Sequence, residues 1–190
     1  MSLTQALGQS LLGDSFSNAA CLKPTLQQDF DINTYTGNWY EFARVLNSFE
    51  DGICDTATYT LQADGTVQVL NQEYIVDDGE VTSALGQARC SSDVSGQCQV
   101  RFSQFAPWGD YRVVSTDYET YSIVYGCSSF FGAFSYEYLW VLSRDVHETG
   151  SAEAAQFQDK VYGIINEKLA GFDTNKLTVT TQGSTCVYQL

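Results

Sequence analysis

The sequence predicts an all-β domain of about eight antiparallel strands followed by one α-helix, on three observations. From residue 37 to residue 144, short stretches rich in Val, Thr, Tyr and Phe alternate with turn residues. A helical apolar stripe occurs only after this region. Both prolines, Pro24 and Pro107, lie outside the strand interiors, as a ladder that uses every backbone N–H requires.

Turn residues mark where each predicted strand ends. The first strand begins near Gly37, and Ala63–Asp64–Gly65 separates Tyr59–Leu61 from Thr66–Tyr74 as in a β-hairpin. The polar stretch Cys90–Cys98 predicts a loop. The other strands are predicted over Val81–Ala88, Gln99–Phe105, Tyr111–Ser115, Tyr118–Cys127 and Phe134–Arg144. Eight such strands fit either a two-sheet sandwich or a closed barrel, and the pattern leaves both open.

The helix is predicted over Ser151–Ala170. Ser151 is a suitable N-cap, Glu153 lies near the positive end of the helix dipole, and Gly171 ends the helix. A last strand is predicted over Leu177–Thr181. Apolar side chains recur at helical spacing, which indicates packing on the outside of the sheet: Phe157, Val161, Ile164, Ile165 and Leu169.

Composition excludes several functions. The 190 residues include 9 Lys+Arg against 23 Asp+Glu, a net charge of −14, so binding to nucleic acid or to anionic lipid is not expected. No apolar run reaches the ~18 residues that a membrane span needs, so stable membrane insertion is not expected. The single histidine, His147, argues against a metal site and against Ser/His or Cys/His catalysis.

The six cysteines indicate an oxidising compartment. Their number is even and none forms a C-x-x-C pair, so we expect three disulfides in a secreted protein, although six reduced core thiols would give the same count. Fifteen pairings are open at this point. Residues 1–20 lack the basic start of a signal peptide, so we interpret them as an N-terminal arm or a cloning remnant, and residues 21–190 as one domain.

One face of the last long strand is aromatic. Phe134, Tyr136, Tyr138 and Trp140 alternate along it and therefore share a side of the sheet. Such a face fills a solid core or walls a cavity, and closure into a barrel favours the cavity. Arg144 continues this face, where its guanidinium could stack on a tryptophan ring.

Three motifs in this order resemble the signature regions of the lipocalins: Gly37-x-Trp39-Tyr40, Thr116–Asp117–Tyr118 and Arg144. The likeness covers about Cys21 to Tyr188. Within that family the chain is similar to the apolipoprotein D, bilin-binding protein and crustacyanin branch, on segments such as Val69–Glu73 and Gln182–Tyr188.

The resemblance implies a secreted eight-stranded up-and-down barrel with the helix packed outside, an open mouth and a base closed by Trp39 beneath Arg144. It implies the disulfides Cys21–Cys127 and Cys54–Cys186, which leaves Cys90 and Cys98 to pair. Arg112 replaces an aromatic residue that relatives carry near the mouth, and a solubilising role at the rim is favoured over binding a ligand carboxylate. The implied pocket positions are Tyr59, Asn71, Phe102, Phe105 and Trp140, with Glu41, Glu73, Tyr136 and Tyr138 as weaker candidates.

The expected function is binding without chemistry, so no cofactor is required. With only Arg44 and Arg112 expected near the mouth, a neutral ligand is favoured: a carotenoid, another isoprenoid, a sterol or a retinoid. A bilin chromophore or a fatty acid is the alternative. An isomerase that uses a free thiol at Cys54 is a less favoured hypothesis, because the resemblance places this cysteine in a disulfide.

Two further hypotheses concern surface loops. Trp108 and the segment Phe130–Gly132 are expected to be exposed and could dock a partner, so a homo- or heterodimer is considered. The acidic turn Asp77–Glu80 could bind calcium, but a solvated hairpin turn is the favoured interpretation.

Overall fold

The computed structural model describes residues 15–130 and 133–189. Eight strands pair antiparallel with their sequence neighbours, and the last pairs with the first. The order of elements is β1 (Phe16–Ser17), α1 (Ile32–Tyr35), β2 (Gly37–Val45), β3 (Ile53–Leu61), β4 (Val67–Ile75), β5 (Glu80–Cys90), β6 (Gln97–Arg101), β7 (Gly109–Thr116), β8 (Tyr121–Phe130), β9 (Phe134–Ser143), α2 (Ala152–Lys168), a 3₁₀ turn (Thr174–Lys176) and β10 (Leu177–Val179).

Closure between β9 and β2 decides between the two architectures that the strand pattern left open. Tyr40 pairs with Ser143 and Arg44 with Trp140, so strands β2–β9 form a barrel and not a sandwich. A bulge between Glu41 and Ala43 shifts the register within β2. The predicted eight-stranded antiparallel barrel with a helix outside it is confirmed.

Several predicted strand boundaries were wrong: β3 begins at Ile53 and not at Tyr59, and two other errors have a local cause. The strand predicted over Gln99–Phe105 ends at Arg101, because Ala106 donates its backbone N–H to the Ser103 carbonyl at 3.1 Å and the chain turns. The strand predicted from Tyr118 begins at Tyr121. The Asp117 carboxylate accepts the backbone N–H groups that precede β8, including that of Thr120 at 2.7 Å, and this turn replaces ladder pairing.

Three short elements were not predicted: β1, α1 and the 3₁₀ turn. Strand β1 pairs Phe16 with Tyr136 of β9 and lies within the stretch assigned to the arm. Residues 1–14 lie outside the described residues, so the division of the chain at residue 20 stays a prediction. Asp31 caps helix α1, and its carboxylate accepts the backbone N–H of Asn33 at 3.0 Å.

Helix α2 covers the outside of the barrel. Ser151 caps it by accepting the backbone N–H of Ala154 at 3.0 Å, as its sequence predicts. The helix buries Val161 and Ile165 against barrel residues such as Phe42 and Val141. Neither helix in the described part of the chain is long and apolar enough to cross a lipid bilayer.

Three disulfides join Cys21 to Cys127, Cys54 to Cys186 and Cys90 to Cys98, which are the expected pairings. The first ties the N-terminal segment to β8, and the second ties the C-terminal tail to β3. The third joins directly paired residues of β5 and β6.

A cluster of buried side chains fills one end of the barrel interior, and the other end is not filled by it. Its side chains come from α1 and from strands on every side of the barrel: Tyr35, Trp39, Ala57, Tyr59, Val67, Val69, Ala88, Val113, Val124 and Leu142.

Candidate ligand-binding site

Arg144 closes one end of the barrel. Its guanidinium lies 3.7 Å from the centre of the Trp39 ring, which is fully buried. It donates to the backbone carbonyls of Tyr35 at 3.1 Å, Thr36 at 2.9 Å and Tyr118 at 3.0 Å. Burial lowers the pKa of Arg144 somewhat, but a guanidinium stays charged at neutral pH. These bonds fix the carbonyls of the N-terminal segment beneath the barrel, and the contact with Trp39 is the one that the resemblance implied for the base.

A cavity of about 600 Å³ occupies the rest of the barrel interior. This volume lies within the range of about 300–1,000 Å³ that is typical of small-molecule sites. The cavity reaches the end opposite Arg144, between the loops that follow β2 and β6. Apolar and aromatic side chains make up most of its lining, among them Phe49, Ala57, Tyr59, Val69, Val100, Phe102, Tyr111, Tyr138, Trp140 and Leu142.

Three rings follow one another along one side of this cavity. Phe49, from the loop after β2, packs on Tyr138 with ring centres 5.5 Å apart, and Tyr138 stacks on Trp140 at 5.7 Å. Tyr138 and Trp140 belong to the aromatic face predicted for β9. This face therefore walls a cavity along part of its length, and it offers flat apolar surface to an extended or ring-containing ligand.

Tyrosine hydroxyls lie at the inner end of the cavity. The Tyr111 hydroxyl is 2.9 Å from that of Tyr59 and 3.1 Å from that of Tyr35, which also contacts the Ser122 hydroxyl at 2.9 Å. Burial raises the pKa of Tyr59 and of Tyr111 well above the ordinary value, so both hydroxyls stay protonated. The cavity is thus apolar along its sides with hydroxyl groups at its inner end.

Four carboxylates line the cavity nearer its open end, and we call them the carboxylate wall: Glu41, Glu50, Asp55 and Glu73. They come from β2, the loop after it, β3 and β4. Arg44 lies among them, with its Nη1 atom 2.5 Å from Glu41 Oε1 and 3.0 Å from Asp55 Oδ2. Its Nη2 atom donates to the Gly52 carbonyl at 3.0 Å.

Other parts of the fold hold the carboxylate wall in place. Glu41 accepts the Thr180 hydroxyl at 2.6 Å. Glu50 accepts the indole N–H of Trp140 at 3.0 Å, and Glu73 accepts the backbone N–H of Gly52 at 2.5 Å.

The charges within the carboxylate wall interact strongly. Burial, reinforced by the nearby Glu50 carboxylate, raises the pKa of Glu41 well above its ordinary value. Burial also raises the pKa of Asp55 to about 6, against the opposing effect of Arg44. Burial alone would lower the pKa of Arg44, but Glu41 and Asp55 raise it, so this guanidinium is charged and held in ion pairs.

Most of the predicted pocket residues line the cavity: Glu41, Tyr59, Asn71, Glu73, Phe102, Tyr138 and Trp140. Phe105 and Tyr136 are not among the lining residues. Phe105 lies on the turn after β6, where its side chain is 90% exposed. The ring of Tyr136 packs against Phe16 of β1, with ring centres 5.7 Å apart.

Arg112 lies on the outer surface, so the expectation of a cation at the mouth or its rim was wrong. Its Nε atom donates to Asp110 at 2.7 Å, and its guanidinium lies 5.2 Å from the centre of the Tyr125 ring, which is buried between the barrel and α2. Its Nη1 atom also reaches the Leu22 carbonyl at 3.4 Å.

Trp108 is not the free exposed ring that the sequence suggested. The guanidinium groups of Arg89 and Arg101 stack on it, 4.2 and 4.3 Å from the ring centre, and the ring is half-buried. Phe131 and Gly132, from the other predicted docking segment, lie outside the described residues. No group of three or more His, Cys, Asp or Glu suited to a metal ion occurs within the described ranges.

Sequence reasoning missed Glu50, Asp55 and Tyr111. Strand alternation was a usable signal for Asp55, since it shares its side of β3 with Ala57 and Tyr59. No periodic pattern applies to Glu50, which lies in a loop.

A closed barrel with one covered end and a ligand-sized cavity at the other defines the class of single-domain β-barrels that hold a small molecule inside. Residues 30–182 match the family model described as the Lipocalin-like domain, so the chain belongs to the lipocalin family. It is 36% identical to apolipoprotein D of Macaca fascicularis over 171 residues, which cover 90% of this chain and 86% of that protein. It is 37% identical to the outer membrane lipoprotein Blc of Vibrio cholerae over 175 residues, with 90% and 93% covered.

Solved structures of lower identity share the fold. H1 crustacyanin from the lobster Homarus americanus superposes with a TM-score of 0.73 at 19% identity, covering 92% of this chain and 94% of that one. Insecticyanin from the tobacco hornworm Manduca sexta superposes with a TM-score of 0.73 at 22% identity, covering 91% and 92%.

Proposed function

We propose that this protein is a secreted carrier that binds a small hydrophobic ligand inside the barrel. The observation that carries the proposal is the cavity of about 600 Å³, with mostly apolar walls, in a barrel tied by three disulfides. A ligand that leaves water for this cavity gains about 25 cal/mol per Å² of apolar surface buried. Because the barrel is pre-formed, little ordering entropy opposes entry. The disulfides also favour an extracellular location.

The ligand we propose is neutral: a carotenoid, or another isoprenoid, a sterol or a retinoid. The rings of Phe49, Tyr138 and Trp140 suit a flat conjugated or fused-ring molecule. The hydroxyls of Tyr59 and Tyr111 could hold a ligand hydroxyl or carbonyl at the inner end. The resemblance to the crustacyanin branch supports a carotenoid in particular, which would be a bound chromophore and not a cofactor of any reaction.

The alternative is an anionic ligand, either a bilin or a fatty acid. Arg101 is the observation that favours it, because this residue lines the cavity near the open end. One guanidinium suits the single carboxylate of a fatty acid better than the two propionates of a bilin. An isomerase that uses a free thiol has less support, since all six cysteines are in disulfides.

Two measurements test the proposal. The protein purified from its source is extracted with organic solvent, and the extract is examined by absorption and mass spectrometry. We expect a neutral apolar molecule at close to one per chain, with a visible band if it is a pigment. An extract without any apolar molecule, together with no binding of added retinol, would contradict the proposal.

The second measurement places the ligand in the cavity. Retinol titrated into the protein quenches tryptophan fluorescence, and we expect most of this quenching to disappear in Trp140→Phe, because this ring lines the cavity. Trp108→Phe is the matched control, since its ring stacks with Arg89 and Arg101. Equal loss of quenching in both variants would place the ligand elsewhere.

Assembly into a homo- or heterodimer is also proposed. Exposed apolar side chains near the open end, including Phe49 and Phe105, support it. Sedimentation with and without bound ligand tests this, and a monomer under both conditions contradicts a homodimer.

A further inference from the structure

Negatively charged side chains outnumber cationic ones in the lining of the cavity near its open end. Four carboxylate side chains, those of the carboxylate wall, line this part of the cavity, and Asp110 borders the cavity with its carboxylate directed outward. Asp110 is paired with Arg112 on the outer surface. Within the described residues the carboxylate wall has one cation in contact with it, Arg44, whose Nη1 and Nη2 atoms are occupied by two carboxylates and two backbone carbonyls while its Nε atom has no acceptor.

Arg101 is the one cationic side chain that lines the cavity in the described part of the chain. Its guanidinium stacks on Trp108 at 4.3 Å and donates to the Gln87 side chain at 3.1 Å. A ligand carboxylate would have to displace these contacts. It would also be placed in a cavity whose other lining charges repel it.

A second observation is independent of the charge count. The carboxylate of Asp55 lines the cavity, its side chain is only 9% exposed, and its Oδ2 atom has no hydrogen-bond donor beyond the ion-pair contact with Arg44. Asn71, a neutral side chain of the same lining, has a buried carbonyl oxygen without a donor. Buried acceptors without donors are uncommon in folded proteins, because each has lost its hydrogen bonds to water.

We propose that the cavity selects, by means of the carboxylate wall, an amphiphile whose polar end donates hydrogen bonds, as an alcohol or a protonated amine does, and rejects one that ends in a carboxylate. This inference rests on the proposed carrier function and specifies its ligand class. An alcohol or ammonium group would supply a donor to the Asn71 carbonyl oxygen and further donors to the carboxylate oxygens of the wall. A carboxylate would add one more acceptor and one more negative charge.

Electrostatics gives the expected size of the discrimination. Two charges about 4 Å apart near a protein surface interact by roughly 4 kcal/mol, before the screening that an open mouth allows. Even a third of that value separates two ligands by ~10-fold in Kd. The expected order of affinity is therefore amine, then alcohol, then carboxylate, with at least ~10-fold between the first and the last.

The test uses three probes with the same eighteen-carbon chain: oleylamine, oleyl alcohol and oleate. Each is titrated at neutral pH, below its micelle concentration, with tryptophan quenching and calorimetry as readouts. Binding of one oleylamine per chain, at least ~10-fold tighter than oleate, supports the inference. Oleate binding as tightly as the other two overturns it and leaves the carrier function standing. If none of the three binds, and retinol does not either, the carrier function fails and the inference fails with it.

The variant Glu50→Gln/Glu73→Gln assigns the effect to the carboxylate wall. Each glutamine keeps a carbonyl oxygen, so the indole N–H of Trp140 and the backbone N–H of Gly52 keep their acceptors and folding is preserved. We expect the preference for oleylamine over oleate to fall several-fold, while the affinity for oleyl alcohol changes by less than ~2-fold.

The matched control removes the same two charges at the closed end of the barrel, in Asp93→Asn/Glu119→Gln. These residues are exposed on the loops after β5 and β7. We expect this control to retain the wild-type preference. If both double variants lose the preference equally, net protein charge is the cause and the inference is overturned.

Discussion

Replacing Arg144 by lysine tests how the closed end of the barrel contributes to stability. The arginine donates to five backbone carbonyls, those of Thr34, Tyr35, Thr36, Asn38 and Tyr118, and stacks on Trp39 at 3.7 Å. A lysine keeps the charge but has only three N–H donors and no planar group to stack.

The structure gives the size of the loss. At least two hydrogen bonds to a charged donor are lost, each contributing ~1.5–3 kcal/mol when buried, together with a cation–π contact of ~1 kcal/mol. Because water reaches part of this site, these contributions are discounted. We expect the free energy of unfolding to fall by about 2–4 kcal/mol, a substantial part of the ~5–15 kcal/mol that is typical of a domain.

Guanidinium chloride unfolding under non-reducing conditions, followed by near-ultraviolet circular dichroism, measures this loss. The matched control is Arg89→Lys, because Arg89 also stacks on a tryptophan, at 4.2 Å, but it donates to a side chain, that of Gln99, and not to backbone carbonyls. We expect the control to lose less than about 1 kcal/mol. A loss in Arg144→Lys no larger than in the control would refute the view that the backbone carbonyls make this arginine important.

The remaining predictions concern pH and the disulfides. Since burial raises the pKa of Asp55 to about 6, the carboxylate wall loses negative charge as the pH falls through that value. Oleylamine stays protonated throughout and should therefore bind several-fold more weakly at pH 5 than at pH 8. The affinity for oleyl alcohol should change little. An oleylamine-to-oleyl alcohol affinity ratio that is the same at both pH values would contradict this prediction. The Cys54–Cys186 disulfide joins residues 132 positions apart, and Cys90–Cys98 joins residues only 8 apart. In the chain-entropy model, replacing Cys54 and Cys186 by alanine should therefore lower the free energy of unfolding by ~2 kcal/mol more than replacing Cys90 and Cys98. Equal costs in denaturant unfolding would argue against that view.

Local pattern was enough to predict most of the elements. Alternation and turn residues predicted the hairpin of β3 and β4, and the cap at Ser151 with its apolar stripe predicted α2. The errors fell at turns. Around Ser103 and Asp117, hydrogen bonds within the turn outcompete ladder pairing, and residue-type preferences do not show which of the two prevails.

The site could be predicted only in part. Alternation placed Tyr138 and Trp140 on one face of β9, and the resemblance supplied positions such as Tyr59 and Asn71. Alternation did not predict that Arg44 lies beside Glu41, because the bulge in β2 interrupts the alternation of side chains between these two residues. The resemblance also did not show that the Arg112 side chain points away from the mouth. In the structure this side chain is paired with Asp110 on the outer surface.

The sequence by itself determined the strands, the outer helix, an even set of cysteines and the motifs that mark the family, because each depends on residues near one another in the chain. The tertiary structure alone decided that these strands close into a barrel and that four carboxylates from different segments line one cavity, two of them paired with a buried arginine. Barrel closure brings together side chains far apart in sequence, and only their shared burial sets the charges that a ligand would meet.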